Sequence, residues 1–266
     1  MHEAVSAMPT VKDELDRPAV RPLGLIGSVG YFGIPAALLA GASLRLIPWM
    51  VRRGFSGLTI LNVAFAGLGA LVLVAALVAF RLEGRPSTWT AFRDRMRLER
   101  PTRTVWLWTL AAVIVAFGVT MFIAPYAEAY LRLPLVTLPA ETLSFRDSMT
   151  SGFPEIELSG RWGVFLWLVF GLAVLNIGGE ELLWRGIILP RQEVVFGRWA
   201  WAVNGILWNL LHTGRYGTVG MMVIYLPVTL ILPYVAQRTR STWPGIVTHL
   251  TFNTIASLPM FLRFFR

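Results

Sequence analysis

Apolar runs long enough to cross a bilayer, separated by arginine-bearing connections, set the terms for this sequence. Crossing ~30 Å of hydrocarbon takes about 20 helical residues, and stretches such as 57–80 and 104–124 supply that length without one charged side chain. Inside lipid every backbone N–H and C=O must be bonded within the chain, and a continuous apolar run does this as a helix. Helices are expected at 24–48, 57–80, 104–124, 161–189, 198–213, 217–236 and 243–262. The predicted fold class is therefore all-α, a polytopic transmembrane bundle of about seven helices. The fifth is short and carries Asn204, Asn209 and His212, which suits a segment covered by its neighbours or re-entrant, and the count then falls to six.

Composition agrees with lipid as the solvent: 55% of residues are hydrophobic and 15% charged. A net charge of +9 raises nucleic-acid binding, but the arginines lie between apolar runs rather than along one face, so no nucleic-acid partner is expected. Zero cysteines exclude disulfides, iron–sulfur clusters, thiol nucleophiles and cysteine-ligated zinc. Residues 1–22 form a polar tail without the apolar core and small-residue cleavage site of a signal peptide, which leaves insertion to the first membrane helix.

The chain divides into this tail, membrane helices over 23–124, a loop at 125–160 and a helical core over 161–262. Arg81, Arg85, Arg93, Arg95, Arg97, Arg100 and Arg103 mark 81–103 as cytoplasmic under the positive-inside rule, and the amino terminus with it. The 125–160 loop carries Glu128, Glu141, Asp147, Glu155 and Glu157, which fits the opposite side. Arg52, Arg53, Arg263 and Arg266 run against this orientation. Lys12 is the only lysine beside abundant arginine, as in GC-rich bacterial genomes, so the expected location is a bacterial plasma membrane.

Ionisable groups at membrane depth cost ~2.5–3.5 kcal/mol each on insertion scales, so those that persist usually face a bundle interior and act there. Three groups of such residues occur in the second half. Glu180 and Glu181 precede Arg185 within one apolar helix, Trp208 precedes His212 by four residues, and His249 precedes Asn253 by four. Glu181 and Arg185 have the spacing and order of an intrahelical ion pair. Glu180 points ~100° away on the same helix, where it can face a cavity as a general base, with Asn176 one turn below as a hydrogen-bond partner. His249 and Asn253 share a helix face and can both donate to an oxyanion.

A lone pair or a lone buried histidine would be ordinary interhelical packing. The whole set at helical spacing is harder to read that way. Depth tests it: at ~1.5 Å per residue, Glu180 and His249 lie about 12–14 Å from positions 189 and 241, whereas His212 comes near 21 Å if its helix starts at 198. An earlier start, with 190–197 dipping into the membrane, would bring His212 level with the others.

These residues resemble the CPBP intramembrane proteases, which include the CAAX prenyl endopeptidases and the bacterial Abi proteins. The family's Glu-Glu-x-x-x-Arg motif is similar to Glu180, Glu181 and Arg185 with Gly186 following; its Phe-x-x-x-His to Trp208 through His212, with Trp for Phe; its His-x-x-x-Asn/Asp to His249 and Asn253. The resemblance covers about 160–255. It implies a membrane-embedded endopeptidase cutting a membrane-associated peptide or protein, with Glu180 activating water, His249 and Asn253 holding the oxyanion, His212 positioning water or substrate, and Glu181 and Arg185 in support. It also leaves open a divalent metal such as zinc, since one carboxylate and two imidazoles can bind one; a metal-free glutamate–water mechanism needs only the residues named. Two other functions fit a membrane bundle: a non-catalytic immunity or scaffold protein binding a peptide, and a transporter, for which a symmetric pair of broken helices would be expected and is not evident.

Overall fold

The computed structural model describes residues 20–265. The predicted polar tail lies almost wholly outside the described residues, as do His2, Lys12 and Arg266. Among the described residues the chain forms helices and no strand, with one isolated bridge between Pro134 and Thr218.

The elements in order are α1 (Leu25–Arg52), α2 (Gly57–Leu82), α3 (Trp89–Arg95), α4 (Arg103–Tyr130) and α5 (Ala140–Thr150). They continue as α6 (162–188), α7 (Leu189–Phe196), α8 (Ala200–Leu211), α9 (Thr213–Tyr216), α10 (Val219–Thr239), α11 (Trp243–Ala256) and α12 (Leu258–Leu262). Side-chain oxygens set several starts. Ser56, Thr88, Thr102 and Thr218 accept from the backbone N–H three residues on, which satisfies a donor that the first helical turn leaves free.

Five helical stretches are long and apolar enough to cross a membrane, or six if α11 and the bent segment after it, inclined by 62°, form one span. The expected seven differs because 161–189 and 198–213 fall within one helical stretch of 55 residues, Trp162–Tyr216. Straight, that stretch would run about 80 Å, well beyond one bilayer. It folds back at Gly197, whose φ of +52° favours glycine, and α7 packs on α8 across the turn. Residues Leu189–Phe196, in the stretch for which a dip into the membrane would bring His212 level, form the helix α7, with Leu189, Pro190 and Gln192 buried.

The bundle is an integral membrane fold turned outward. Ile26 is 92% exposed and Phe122 70%, and similar apolar side chains line the outer faces of α1, α2, α4 and α6. Such a surface is stable against acyl chains rather than water. Inside, one apolar cluster gathers Phe32, Trp184, Ile187, Trp208 and Leu232, and a second gathers Ile47, Phe145, Phe153 and Phe264.

Two of the arginines that run against the predicted topology, Arg52 and Arg263, are engaged by the 125–160 loop. Arg52 donates to Glu141 of α5 at 2.7 Å, and its guanidinium holds the Glu141 carboxyl below the usual carboxylate range. Arg263 donates to the carbonyls of Gly152, Phe153 and Pro154. At the other end of the bundle α3 acts as a strap. Arg95, 5% exposed, pairs with Glu83 and donates to the carbonyls of Gly186 and Ile187 in α6. Arg97 makes two hydrogen bonds to Glu193 of α7, and Thr242, at the start of α11, donates its hydroxyl to the Met96 carbonyl at 2.7 Å.

Glycine contacts fix how closely α6 approaches α2. A Cβ on Gly69 would lie 2.8 Å from the Leu175 carbonyl oxygen and 2.9 Å from the Asn176 nitrogen, and one on Gly179 would lie 2.9 Å from the Gly69 carbonyl oxygen. Backbone cannot yield as a flexible side chain can, so Gly69→Ala is expected to cost about 1–3 kcal/mol of stability. A lowered thermal midpoint of the purified protein in detergent, relative to an Ala→Gly control on a lipid-facing surface, is the measurement.

Candidate functional site

The helix bearing both glutamates is wound more widely than an α-helix on either side of them. Residues Gly171–Gly178 and Leu182–Ile188 bond from i to i+5, with a single α turn, Gly179–Glu181, between. Such windings recur at functional sites because they redirect side chains and loosen the carbonyl ladder. Here the carbonyls of Gly186 and Ile187, in the second wide segment, are the ones Arg95 engages.

Glu180 is held by neutral donors. Its Oε1 accepts from Asn176 Nδ2 at 3.1 Å, and its Oε2 from Trp208 Nε1 at 2.7 Å and Trp184 Nε1 at 3.4 Å. The expected Asn176 contact is therefore present. No cation of the described residues forms a salt bridge with Glu180. The Trp208 indole N–H makes the shortest of the three bonds, which a phenylalanine at this motif position cannot make.

Glu181 points elsewhere and is fully buried, as is Arg185. The expected ion pair forms, Arg185 Nη1 to Glu181 Oε1 at 2.9 Å, and the same oxygen meets His249 Nδ1 at 2.9 Å. A carboxylate paired with arginine has no proton to give, so Nδ1 carries the hydrogen and Nε2 is left for other partners. Glu181 is thus the group that orients His249, as carboxylates orient imidazoles in many hydrolytic sites. The guanidinium of Arg185 lies 3.9 Å from the Trp208 ring centroid, a cation–π contact that offsets the nitrogens Nε and Nη2 for which no acceptor is found among the described residues. Helix α11 comes this close because of Gly245, where a Cβ would fall 2.3 Å from Glu181 Oε2.

Trp208 ties the remaining members together. Its ring makes edge contacts with His249 at 5.2 Å and with His212 at 5.8 Å between centroids. His212 Nδ1 meets the Trp208 carbonyl at 2.9 Å; a carbonyl only accepts, so Nδ1 is protonated and Nε2 is the ring's free acceptor. Asn253 Nδ2 donates to Asn176 Oδ1 at 3.4 Å, which joins α11 to α6 directly below Glu180. Asn204 and Asn209, by contrast, serve the packing of α8: the first donates to Gln192 and the Trp184 carbonyl, the second to Thr229 and the Met222 carbonyl.

Glu180, His212, His249 and Asn253 all line one cavity of about 240 Å³, while Glu181 and Arg185 lie behind its wall. The depth mismatch expected for His212 does not keep it from this cavity, because Trp208 spans from Glu180 to the last turn of α8. Gly245 and Arg95 were not readable from spacing, since they meet α6 from other helices, whereas Trp184 is four residues from Glu180 on one helix.

Residues 161–255 match the model of the family described as Type II CAAX prenyl endopeptidase Rce1-like. Over that segment the chain is similar to the CPBP/CAAX proteases. No curated protein and no solved structure matches the chain. The matched segment contains all six residues singled out by motif and ends just past Asn253. Among the described residues no three His, Asp or Glu side chains are grouped as metal ligands, and both oxygens of Glu180 accept from neutral donors.

Removing one partner of the buried pair strands the other. Glu181→Ala leaves the Arg185 charge and the His249 N–H without their acceptor, with an expected loss of about 3–5 kcal/mol. Glu181→Gln, which keeps shape and an acceptor oxygen, should lose less, and thermal unfolding of the two variants side by side measures the difference.

Proposed function

We propose that the chain is an intramembrane endopeptidase that hydrolyses a peptide bond of a membrane-associated peptide or protein, with Glu180 as the base. The observation that carries this reading is a single cavity lined by a carboxylate with only neutral donors, two imidazoles and an amide, within a membrane bundle. A carboxylate so held is oriented without being neutralised by a cation, which keeps it available to take a proton.

The chemistry balances with these groups alone. Glu180 removes a proton from water, whose other hydrogen His212 Nε2 accepts as a hydrogen bond. The resulting hydroxide adds to the substrate carbonyl carbon. The oxyanion takes hydrogen bonds from the second N–H of Asn253 and from Nε2–H of His249 in its doubly protonated form, whose charge the Glu181 carboxylate at Nδ1 offsets. Collapse breaks the C–N bond as Glu180 returns its proton to the departing nitrogen. Glu181 and Arg185 act through His249 rather than on substrate.

The family description makes a prenylated peptide with a CAAX carboxy terminus the first probe, followed by acylated and unmodified apolar peptides. Purified protein in nanodiscs is incubated with each and the products read by mass spectrometry. Glu180→Gln should lower the rate at least about 100-fold, the low end of what a general base supplies. Trp208→Phe removes a hydrogen bond to a charged group and should lower it about ten-fold. Cleavage by the Glu180→Gln variant at the unaltered rate sinks the assignment.

A further inference from the structure

The cavity holds one other charged side chain. Among its lining residues Glu180 is the one carboxylate and Arg215 the one guanidinium; most of the remainder are apolar or aromatic. Arg215 sits in α9, one turn beyond His212, close to the turn at Gly217–Thr218 where the chain meets the 125–160 segment. Its guanidinium lies 4.6 Å from the Phe65 ring centroid and 5.9 Å from that of Tyr216. Tyr216 is in turn stacked between His212, at 5.3 Å, and Tyr225, at 4.2 Å.

Aromatic faces steady a cation but accept none of its five N–H donors in the geometry a carboxylate offers. No carboxylate of the described residues pairs with Arg215, although Arg52, Arg95, Arg97 and Arg185 all have acidic partners. An ionisable group facing a cavity at membrane depth marks a site for a ligand of opposite charge. The Glu180 carboxylate is not that partner, because its oxygens are engaged by Asn176, Trp208 and Trp184.

We propose that Arg215 is a specificity-determining residue that binds a carboxylate of the substrate, and so fixes which peptide bond lies over Glu180. The carboxylate comes either from a substrate carboxy terminus or from an acidic side chain a few residues from the scissile bond. Phe65 and Tyr216 lie against the guanidinium, whose planar fork can make two parallel N–H bonds to one carboxylate.

This inference rests on the cavity being a substrate site, and its test is separated from turnover by measuring binding to the Glu180→Gln protein. Amino-terminally fluorescein-labelled octapeptides of Leu, Val and Ala are titrated against that protein in nanodiscs of phosphatidylcholine, with fluorescence anisotropy as the readout. One pair compares a free carboxy terminus with a carboxamide; a second pair, both amidated, compares Glu with Gln at an internal position. One anionic peptide should bind at least ten-fold tighter than its neutral partner, and the pair that shows the preference names the source. The preference should vanish in Glu180→Gln/Arg215→Gln and persist, reduced, in Glu180→Gln/Arg215→Lys, with thermal midpoints confirming that both fold. No preference in either pair, including no binding at all, overturns the proposal, as does a preference that survives Arg215→Gln. Failure of the wild-type protein to cleave any peptide, with the preference intact, would instead count against the protease reading alone.

Discussion

The buried junction of Glu181, Arg185 and His249 is the interaction on which the rest of the site depends. Two fully buried charges are costly to take out of water, and they are tolerable only where the geometry leaves each with its partners. That requirement sets α11 against α6 at a fixed height and rotation, because His249 reaches Glu181 only where Gly245 lets the helices close. Once α11 is fixed, Asn253 falls beside Asn176 and the cavity acquires its second wall. The pair therefore acts as a register pin first and as an electrostatic support second.

Around this pin, adjacent carboxylates on one helix are given opposite surroundings. Glu181 sees a guanidinium and an imidazole in a closed setting; Glu180 sees two indoles and an amide at the edge of a cavity. Neighbouring residues of the same type are thereby separated into one locked in a buried ion pair and one that faces a cavity. Trp208 serves both, with its N–H toward Glu180 and its ring face toward Arg185.

Much of this was readable from spacing, and what was not has a common cause. Glu181 with Arg185, and Asn176 with Glu180, are four apart on one helix, so the pairs follow from helical geometry alone. The matching depths of Glu180 and His249 likewise follow from rise per residue. Arg95 looked like one more basic residue in a polar loop, because nothing local shows that it reaches carbonyls 91 and 92 residues away. Trp208 looked like an aromatic filler, since the donor role depends on a carboxylate 28 residues distant. The count of seven is not confirmed for a related reason: Gly197 marks a turn, but its sequence neighbours do not reveal that the helices on both sides run on to meet it.

The wide windings of α6 bear on how this chain can be compared with others. A helix advances ~100° per residue, so an extra residue in a regular helix would swing everything beyond it onto a different face. A segment bonded from i to i+5 absorbs such a residue locally, as at Gly171–Gly178. Aligned positions upstream of Asn176 can therefore slip by one while the acidic doublet keeps its aim, and likeness of lettering there is a poor guide to likeness of facing.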